Sequence, residues 1–114
     1  MPSESSMLIV VGRVAALAER REELIEVMRW MQRESRREPG CLNYGFFESV
    51  EVENEFIAVE EWESVAALRT HFGAPSVAGF AARIGDLVTG VPEVRIHGVG
   101  ATSDFPDLTQ FDQD

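Results

Sequence analysis

The sequence lacks features that several classes of protein require. It has no lysine, and its ten arginines are outnumbered by twenty acidic residues, so the net charge is −10. Nucleic acids and anionic membrane surfaces are bound through clustered positive charge, so we expect neither as a partner. No apolar run reaches the ~20 residues that cross a bilayer. The segment "MPSESS" before apolar residues 7–18 is unlike the start of a signal peptide, so we expect a cytoplasmic protein.

Ligands for metals and motifs for cofactors are also scarce. The one cysteine, Cys41, cannot form an internal disulfide, and we interpret it as a packing residue. Together with two histidines it provides too few ligands for a structural zinc site. Neither a G-x-G-x-x-G motif nor a P-loop occurs. We therefore predict no metal site and no cofactor.

The pattern of apolar residues predicts one α+β domain over residues 7–100, preceded by a polar tail at 1–6. Alternation and β-branched residues predict strands at 7–14, 41–50, 55–63 and 93–100. Apolar stripes at helical spacing predict helices at 17–37, 65–72 and 77–88. If the two short helices act as one crossover, this order gives a ferredoxin-like βαββαβ fold, an antiparallel sheet with helices on one face.

Several strands are apolar on both faces, as residues 8–11, 46–47 and 56–59 illustrate. Helices on one side cover one face of such a sheet, so the second face needs another cover. We expect a homodimer that packs sheet against sheet. The acidic tail at 101–114 carries apolar residues at three-residue intervals, and two interpretations of it stay open. It is either a disordered tail or an arm that docks on the partner through Phe105, Leu108 and Phe111.

Two stretches, "REPGCLNYGFFESV" and "FIAVEEWESVAALRTHF", together carry a family resemblance. The sequence resembles the antibiotic biosynthesis monooxygenase domain family in three respects. These are Arg-x-x-Gly-Cys-Leu-x-Tyr before the second strand, Glu-x-Trp-x-Ser after the third, and Ala-Leu-x-x-His-Phe in the next helix. The resemblance covers about residues 7–98, including an ending similar to "LVTGVPEVRI". It implies a dimeric α+β barrel made of two ferredoxin-like units.

The same resemblance implies an oxidoreductase, a cofactor-independent monooxygenase that oxidises a quinol or polycyclic phenol with O₂. Two departures from the family pattern narrow this expectation. Members from antibiotic pathways resemble one another in an amide side chain four positions before the tryptophan, where this chain has Ala58, which argues against a tricyclic phenol. Haem-degrading relatives need an asparagine on the first strand, and residues 7–14 contain none.

Four side chains are predicted to carry the chemistry. His71 lies on the apolar face of its helix and is the candidate base, because imidazole titrates near neutral pH. Glu60 and Trp62 share one strand face, and a carboxylate facing the core needs a partner, for which His71, Tyr44 and Arg83 are candidates. We assign Glu60 to orient His71, and Trp62 and Tyr44 to donate hydrogen bonds and stack on substrate. The predicted substrate-binding walls are Phe46, Phe56, Phe72 and Phe80.

Structural roles stay open for each of these residues. His71 is equally a histidine at the core edge, Trp62 and Tyr44 are core aromatics, and Glu60 is a structural hydrogen-bond or intersubunit partner. Glu60 and Glu61 point to opposite faces, so an error in strand parity would exchange them. Two other functions are alternatives: a non-catalytic module that binds a small aromatic molecule, and a metal-free isomerase with His71 and Glu60 as acid and base.

Overall fold

The computed structural model describes residues 6–111, in which four antiparallel strands form one sheet in the order β2-β3-β1-β4. The strands are β1 (Leu8–Ala16), β2 (Cys41–Glu48), β3 (Glu55–Trp62) and β4 (Val88–Gly98). The helices are α1 (Arg21–Arg36), α2 (Val65–Phe72) and α3 (Pro75–Ile84), with short 3₁₀ turns at Ala18–Arg20 and Thr109–Phe111. The predicted α+β ferredoxin-like fold is confirmed.

Strand β3 sets the two faces of the sheet. Its buried residues alternate strictly with partly exposed ones, and the buried set is Phe56, Ala58, Glu60 and Trp62. The neighbouring Glu61 points to the opposite face, where its carboxylate accepts a hydrogen bond of 2.8 Å from the Asn43 side chain. Glu60 is therefore the acidic residue of this pair that faces the helices.

Local sequence signals account for the helix starts. The Ser64 side chain accepts a hydrogen bond from the Ala67 N–H at 3.1 Å, which caps α2. Helix α2 has the bounds predicted for it. Pro75 occupies the first turn of α3, where its fixed φ suits the helix and its missing N–H is not needed.

The predicted boundary between α3 and β4 is wrong. The helix ends at Ile84 rather than Val88, and β4 begins at Val88 rather than at residue 93. Leu87 continues the apolar stripe of α3 and is buried, but it lies in a turn in which its N–H binds the Ile84 carbonyl oxygen at 2.9 Å. An apolar stripe specifies that a residue is buried, and this turn satisfies the same requirement without a helix.

The core lies between the helices and one face of the sheet. Its two clusters are centred on Leu24, Met28 and Phe56 and on Val10, Met31 and Trp62. On the other face no element of residues 6–111 covers the sheet, and Ile9, Val11, Ile57 and Val59 stay partly exposed while Phe47 is exposed. None of the helices in this part of the chain is long and apolar enough to cross a bilayer.

Candidate active site

A cavity of about 260 Å³ lies between the helix-facing side of the sheet and α3. Its lining includes Tyr44 and Glu60, whose side chains point towards the helices. Arg13 also borders the cavity, but it pairs with Ile57, so strand alternation turns its exposed side chain to the opposite face. The rest of its wall is mostly apolar and includes Val14, Phe46, Ala58, Phe80, Ile84 and Val94. A small apolar cavity that presents a few polar groups is the usual form of a ligand site.

Glu60 is one of the residues that line this cavity, and its carboxyl group is buried. Strand parity turns it towards the helices, where the residue is 7% exposed, and its Oε1 accepts a hydrogen bond of 2.9 Å from the Trp62 indole N–H. Burial raises the pKa of Glu60, and the negative charge of Glu38 adds to this effect, although the Trp62 bond and His71 oppose it. A carboxyl group in this state is suited to exchange a proton.

His71 lies behind Glu60 and is not among the residues that line the cavity. Its ring is 2% exposed and packs on the Trp62 indole, with 4.4 Å between ring centroids. Its Nδ1 lies 3.0 Å from both carboxylate oxygens of Glu38, and its Nε2 lies 3.9 Å from Oε1 of Glu60. Because an ionised carboxylate only accepts hydrogen bonds, we assign the Nδ1 proton as the donor to Glu38.

Tyr44 completes the polar part of the wall. It lies opposite Glu60 in the register of β2 and β3, and its ring meets those of Phe46 and His71 edge to face, each at 5.8 Å. Burial raises the pKa of Tyr44, and the charge of Glu60 raises it further. The Ser35 side chain of α1 acts on Tyr44 in the opposite direction, but burial dominates, so the phenol keeps its proton at neutral pH.

The four phenylalanines predicted as walls separate into two pairs. Phe46 and Phe80 line the cavity with ring centroids 5.7 Å apart. Phe56 belongs to the neighbouring core cluster, where the Arg21 guanidinium lies 5.5 Å from its ring centroid. Phe72 is 47% exposed and lies outside the cavity. The structure thus brings Tyr44, Glu60, Phe46 and Phe80 to the cavity, and Trp62 and His71 behind it.

Sequence reasoning missed Glu38. It lies in the loop between α1 and β2, and Gly40 lets that loop approach α2. Gly40 has a φ of +86°, its carbonyl oxygen accepts a hydrogen bond from the Glu63 N–H, and a Cβ on it would lie 2.5 Å from that of Ala67. The "EPG" stretch predicts a turn, but a turn does not reveal which side chain will meet a distant histidine.

The surroundings of Arg83 and Cys41 fit structural roles rather than catalytic ones. Arg83, a candidate partner for Glu60, instead lies over the Trp30 ring, with its Cζ 5.0 Å from the ring centroid. Burial raises the pKa of Cys41 to about 11, and the charges of Glu38 and Glu60 add to this. The thiol therefore stays protonated at neutral pH, as expected of a packing residue rather than a nucleophile.

Comparison with known proteins supports the resemblance seen in the sequence. The antibiotic biosynthesis monooxygenase family profile matches residues 7–83. The chain is 32% identical over 95 residues to the protein sll1783 of Synechocystis, a match that covers 83% of this chain but 65% of that protein. It is 30% identical over 83 residues to the Bacillus subtilis protein named "Putative monooxygenase YcnE", covering 73% of this chain and 87% of that one.

A solved structure extends the agreement to three dimensions. The crystal structure titled as a "putative antibiotic biosynthesis monooxygenase" from Deinococcus radiodurans superposes with a TM-score of 0.82 at 25% sequence identity. The superposition covers 88% of this chain and 99% of that one. Fold and sequence therefore agree, and the chain belongs to the antibiotic biosynthesis monooxygenase family.

Proposed function

We propose that this protein is a cofactor-independent monooxygenase that oxidises a small quinol or phenol with O₂. The observation that carries the proposal is the apolar cavity of about 260 Å³ with Glu60 and Tyr44 in its wall. The name of the Bacillus relative supports the same reaction class. Such a site needs an apolar slot, a proton acceptor and a hydrogen-bond donor, because the substrate itself supplies the electrons.

The reaction balances without an external reductant. Glu60 takes the hydroxyl proton of a phenol, and the phenolate passes one electron to O₂. The resulting superoxide and phenoxyl radical combine at a ring carbon to give a peroxide. Loss of the hydrogen on that carbon and cleavage of the O–O bond leave a carbonyl and release water. Phenol and O₂ thus yield a quinone and water, and the phenol of Tyr44 donates a hydrogen bond to the developing oxyanion.

We assign the direct contact with substrate to Glu60 rather than to His71. Glu60 lines the cavity, whereas His71 does not line it and lies behind Glu60, with its Nε2 3.9 Å from Glu60 Oε1. Trp62 acts by donating its indole N–H to the Glu60 carboxylate, and its ring is wholly buried, so it is a positioning residue rather than a stacking surface for substrate.

The cavity dimensions narrow the substrate class. Ligand pockets usually enclose about 300–1,000 Å³, and this one lies just below that range. Its size therefore favours a substrate with one or two rings. The Glu60 carboxyl and the net charge of −10 both disfavour an anionic substrate, so we expect a neutral quinol or phenol.

We also propose that the protein is a homodimer formed through the uncovered sheet face. The apolar side chains of Val11 and Val59 on that face support the proposal, since exposed apolar patches of this kind mark interfaces. The tail residues Phe105, Leu108 and Phe111 are exposed and form a candidate arm for the partner, although residues 112–114 lie outside the described part.

Light scattering tests the assembly. The wild type should have twice the mass of one chain, and Val59→Glu should have the mass of one chain because it buries a charge in the interface. Ala66→Glu, on the exposed side of α2, is the matched control and should stay dimeric. A monomeric wild type would rule the assembly out, and a truncation after residue 100 tests the arm.

The reaction is tested by incorporation of ¹⁸O₂ into one-ring and two-ring quinols and phenols, followed by mass spectrometry. Label that appears only with metal-free wild-type protein supports the proposal, and Glu60→Gln should abolish most of it. Glu53→Gln, in the exposed turn between β2 and β3, is the control and should behave as wild type. If no product carries label that depends on the protein, the monooxygenase is refuted and a binding module becomes the favoured function.

A further inference from the structure

A line of ionisable side chains runs from the cavity to the protein surface. It starts at the Glu60 carboxyl, continues through the imidazole of His71, and ends at Glu38. The side chains of Glu60 and His71 are 10% and 3% exposed, whereas that of Glu38 is 19% exposed and reaches solvent. The line therefore connects the apolar cavity with solvent at Glu38, on the far side of His71 from the cavity.

The contacts in this line determine which ring nitrogen of His71 faces each carboxylate. Glu38 holds the Nδ1 side of His71 at 3.0 Å from both of its oxygens, which leaves Nε2 facing Glu60. The distance from Nε2 to Oε1 of Glu60 is 3.9 Å, longer than a hydrogen bond. Trp62 anchors that oxygen from the other side at 2.9 Å. Closing the line takes a movement of about 1 Å, from 3.9 Å to hydrogen-bond distance.

The proposed reaction needs such a line because its protons leave and return at different times. The hydroxyl proton must be removed before the substrate reduces O₂, and a proton is needed again when the O–O bond breaks. If Glu60 alone kept the first proton, that proton would stay beside the phenolate and could return to it at once. A second acceptor behind Glu60 would hold it away from the substrate.

We propose that Glu60, His71 and Glu38 form a proton relay, in which His71 holds the substrate proton during O₂ reduction. The inference rests on the proposed function. Glu60 takes the hydroxyl proton and passes it to Nε2 of His71, which becomes an imidazolium between two carboxylates. The proton returns through Glu60 to the distal oxygen of the peroxide. As the O–O bond breaks, the departing hydroxide takes the proton from the ring carbon, so a carbonyl and water form and the relay ends unchanged. Glu38 is a positioning residue, because it acts through His71.

The first test reads the histidine tautomer and needs no turnover. The sequence has two histidines, and His97 is exposed on β4, so ¹⁵N labelling of histidine gives two ring systems that a His97→Asn variant assigns. Neutral His71 should carry its proton on Nδ1 in the wild type. In Glu38→Ala it should move to the Nε2 form, which prevails in water. A proton on Nε2 in the wild type, or the same tautomer in both proteins, would overturn the relay.

The second test separates a positioning role from a structural one through kinetics. Glu38→Gln should lower kcat roughly tenfold with KM unchanged, because it keeps the shape of the side chain but weakens its hold on the imidazole. Glu38→Asp keeps the carboxylate and should recover part of the loss. The control is Glu34→Gln on α1, a partly exposed residue whose carboxylate lies 3.7 Å from the Arg37 guanidinium, and it should match wild type.

The pH dependence of kcat completes this test. Besides the relay, Tyr44 and Cys41 of β2 are the titratable groups close enough to act on Glu60, and both keep their protons at neutral pH. His71→Gln should therefore alter the pH profile as Glu38→Gln does. Unchanged kcat and pH profiles in both variants would overturn the relay while the monooxygenase stands. If the wild type incorporates no ¹⁸O label, both the monooxygenase and the role of the relay in it are overturned. The tautomer of His71 would still show whether Glu38 holds the Nδ1 proton.

Discussion

Two carboxylates on the helix-facing side of the β2–β3 pair have opposite environments. Glu48 is bound by both terminal nitrogens of Arg21, with Nη2 at 2.7 Å, and accepts the Asn54 backbone N–H at 2.9 Å. The Arg21 hydrogen bonds and that N–H lower the pKa of Glu48 to about 2. Glu60 instead accepts one hydrogen bond from the neutral indole of Trp62, and its burial raises its pKa.

The difference shows how one residue type serves two purposes on the same sheet face. An arginine fork fixes the charge on Glu48, so this carboxylate joins α1 to the hairpin and cannot exchange a proton near neutral pH. Glu60 has a donor that orients it without fixing its charge, and it faces a cavity. Burial combined with a specific neutral partner is the environment that marks a candidate functional carboxyl.

Removing each charge in turn tests the difference between Glu60 and Glu48 most directly. Glu60→Gln should lower kcat by about 10²-fold or more, because the proton acceptor is lost. Glu48→Gln should leave kcat unchanged, because Glu48 does not line the cavity. The measurement is the initial rate of ¹⁸O incorporation at saturating substrate. Equal losses in both variants would mean that activity follows general stability and that Glu60 has no special role.

The hydrogen bond from the Trp62 indole to Glu60 is the second feature that distinguishes Glu60 from Glu48. Trp62→Phe removes the hydrogen bond to Glu60, so the carboxylate is less stabilised and its pKa rises further. The acidic limb of the kcat–pH profile should then move up by about one pH unit, since such a bond contributes ~1.5 kcal/mol. The variant should also unfold at a lower temperature, because Trp62 is wholly buried.

Trp30→Phe is the matched control for that variant. Trp30 is the other tryptophan of the chain, and it packs under Arg83 on the helical side. The Trp30→Phe variant should leave the acidic limb of the kcat–pH profile in place even if it lowers the unfolding temperature. A limb that stays fixed or moves to lower pH in Trp62→Phe would contradict the role given to the indole.

Much of this environment was predictable from the sequence, and its limits have physical causes. Strand alternation correctly placed Glu60 and Trp62 on one buried face, because side chains in a strand point to alternate sides. The serine cap fixed the start of α2, which carries His71. Both predictions depend on residues that are close together in the chain. Contacts of that kind leave a local pattern.

The features that were missed depend on contacts across the fold. Glu38 meets His71 because a loop passes close to α2 at Gly40, and no local pattern encodes that approach. The apolar stripe predicts Leu87 in α3, but it lies in a turn, because helices and turns bury apolar residues equally well. Glu60 lines the cavity and His71 does not, an order that depends on how α2 packs against β3 rather than on a local pattern. The sequence therefore predicted the members of the cluster better than their order from cavity to surface.

The two carboxylates should also affect stability with opposite dependence on pH. Glu48 has a folded-state pKa of about 2, below its ordinary value of about 4.3, so its contribution is complete above about pH 4.3 and is lost as the pH falls towards 2. Glu48→Gln should therefore unfold a few degrees below wild type at neutral pH, and this gap should close in acid.

Glu60 should behave in the reverse manner, because its folded-state pKa is raised. Its ionised form is the less favourable one in the folded protein, so Glu60→Gln should stabilise the protein at neutral pH and lose this advantage as the pH falls towards the ordinary pKa. Thermal unfolding of both variants between about pH 3 and about pH 8 measures the two slopes. Slopes of the same sign would mean that the two carboxylates do not differ as described.

The smallest expected effect concerns the entry of substrate into the cavity. Glu60 lines this cavity and Glu48 does not. Gly12 lines that space, and a Cβ on it would lie 3.6 Å from the Ala58 Cβ and 3.7 Å from Val94 Cγ2, which are ordinary contacts. Gly12→Ala should therefore fold normally and narrow the cavity by about one methyl group. It should raise KM a few-fold for two-ring quinols and leave one-ring quinols nearly unaffected, so the smaller substrate is the internal control. If KM rises equally for both, or for neither, the substrate does not occupy the space beside Gly12, and the assignment of Glu60 as its contact fails with it.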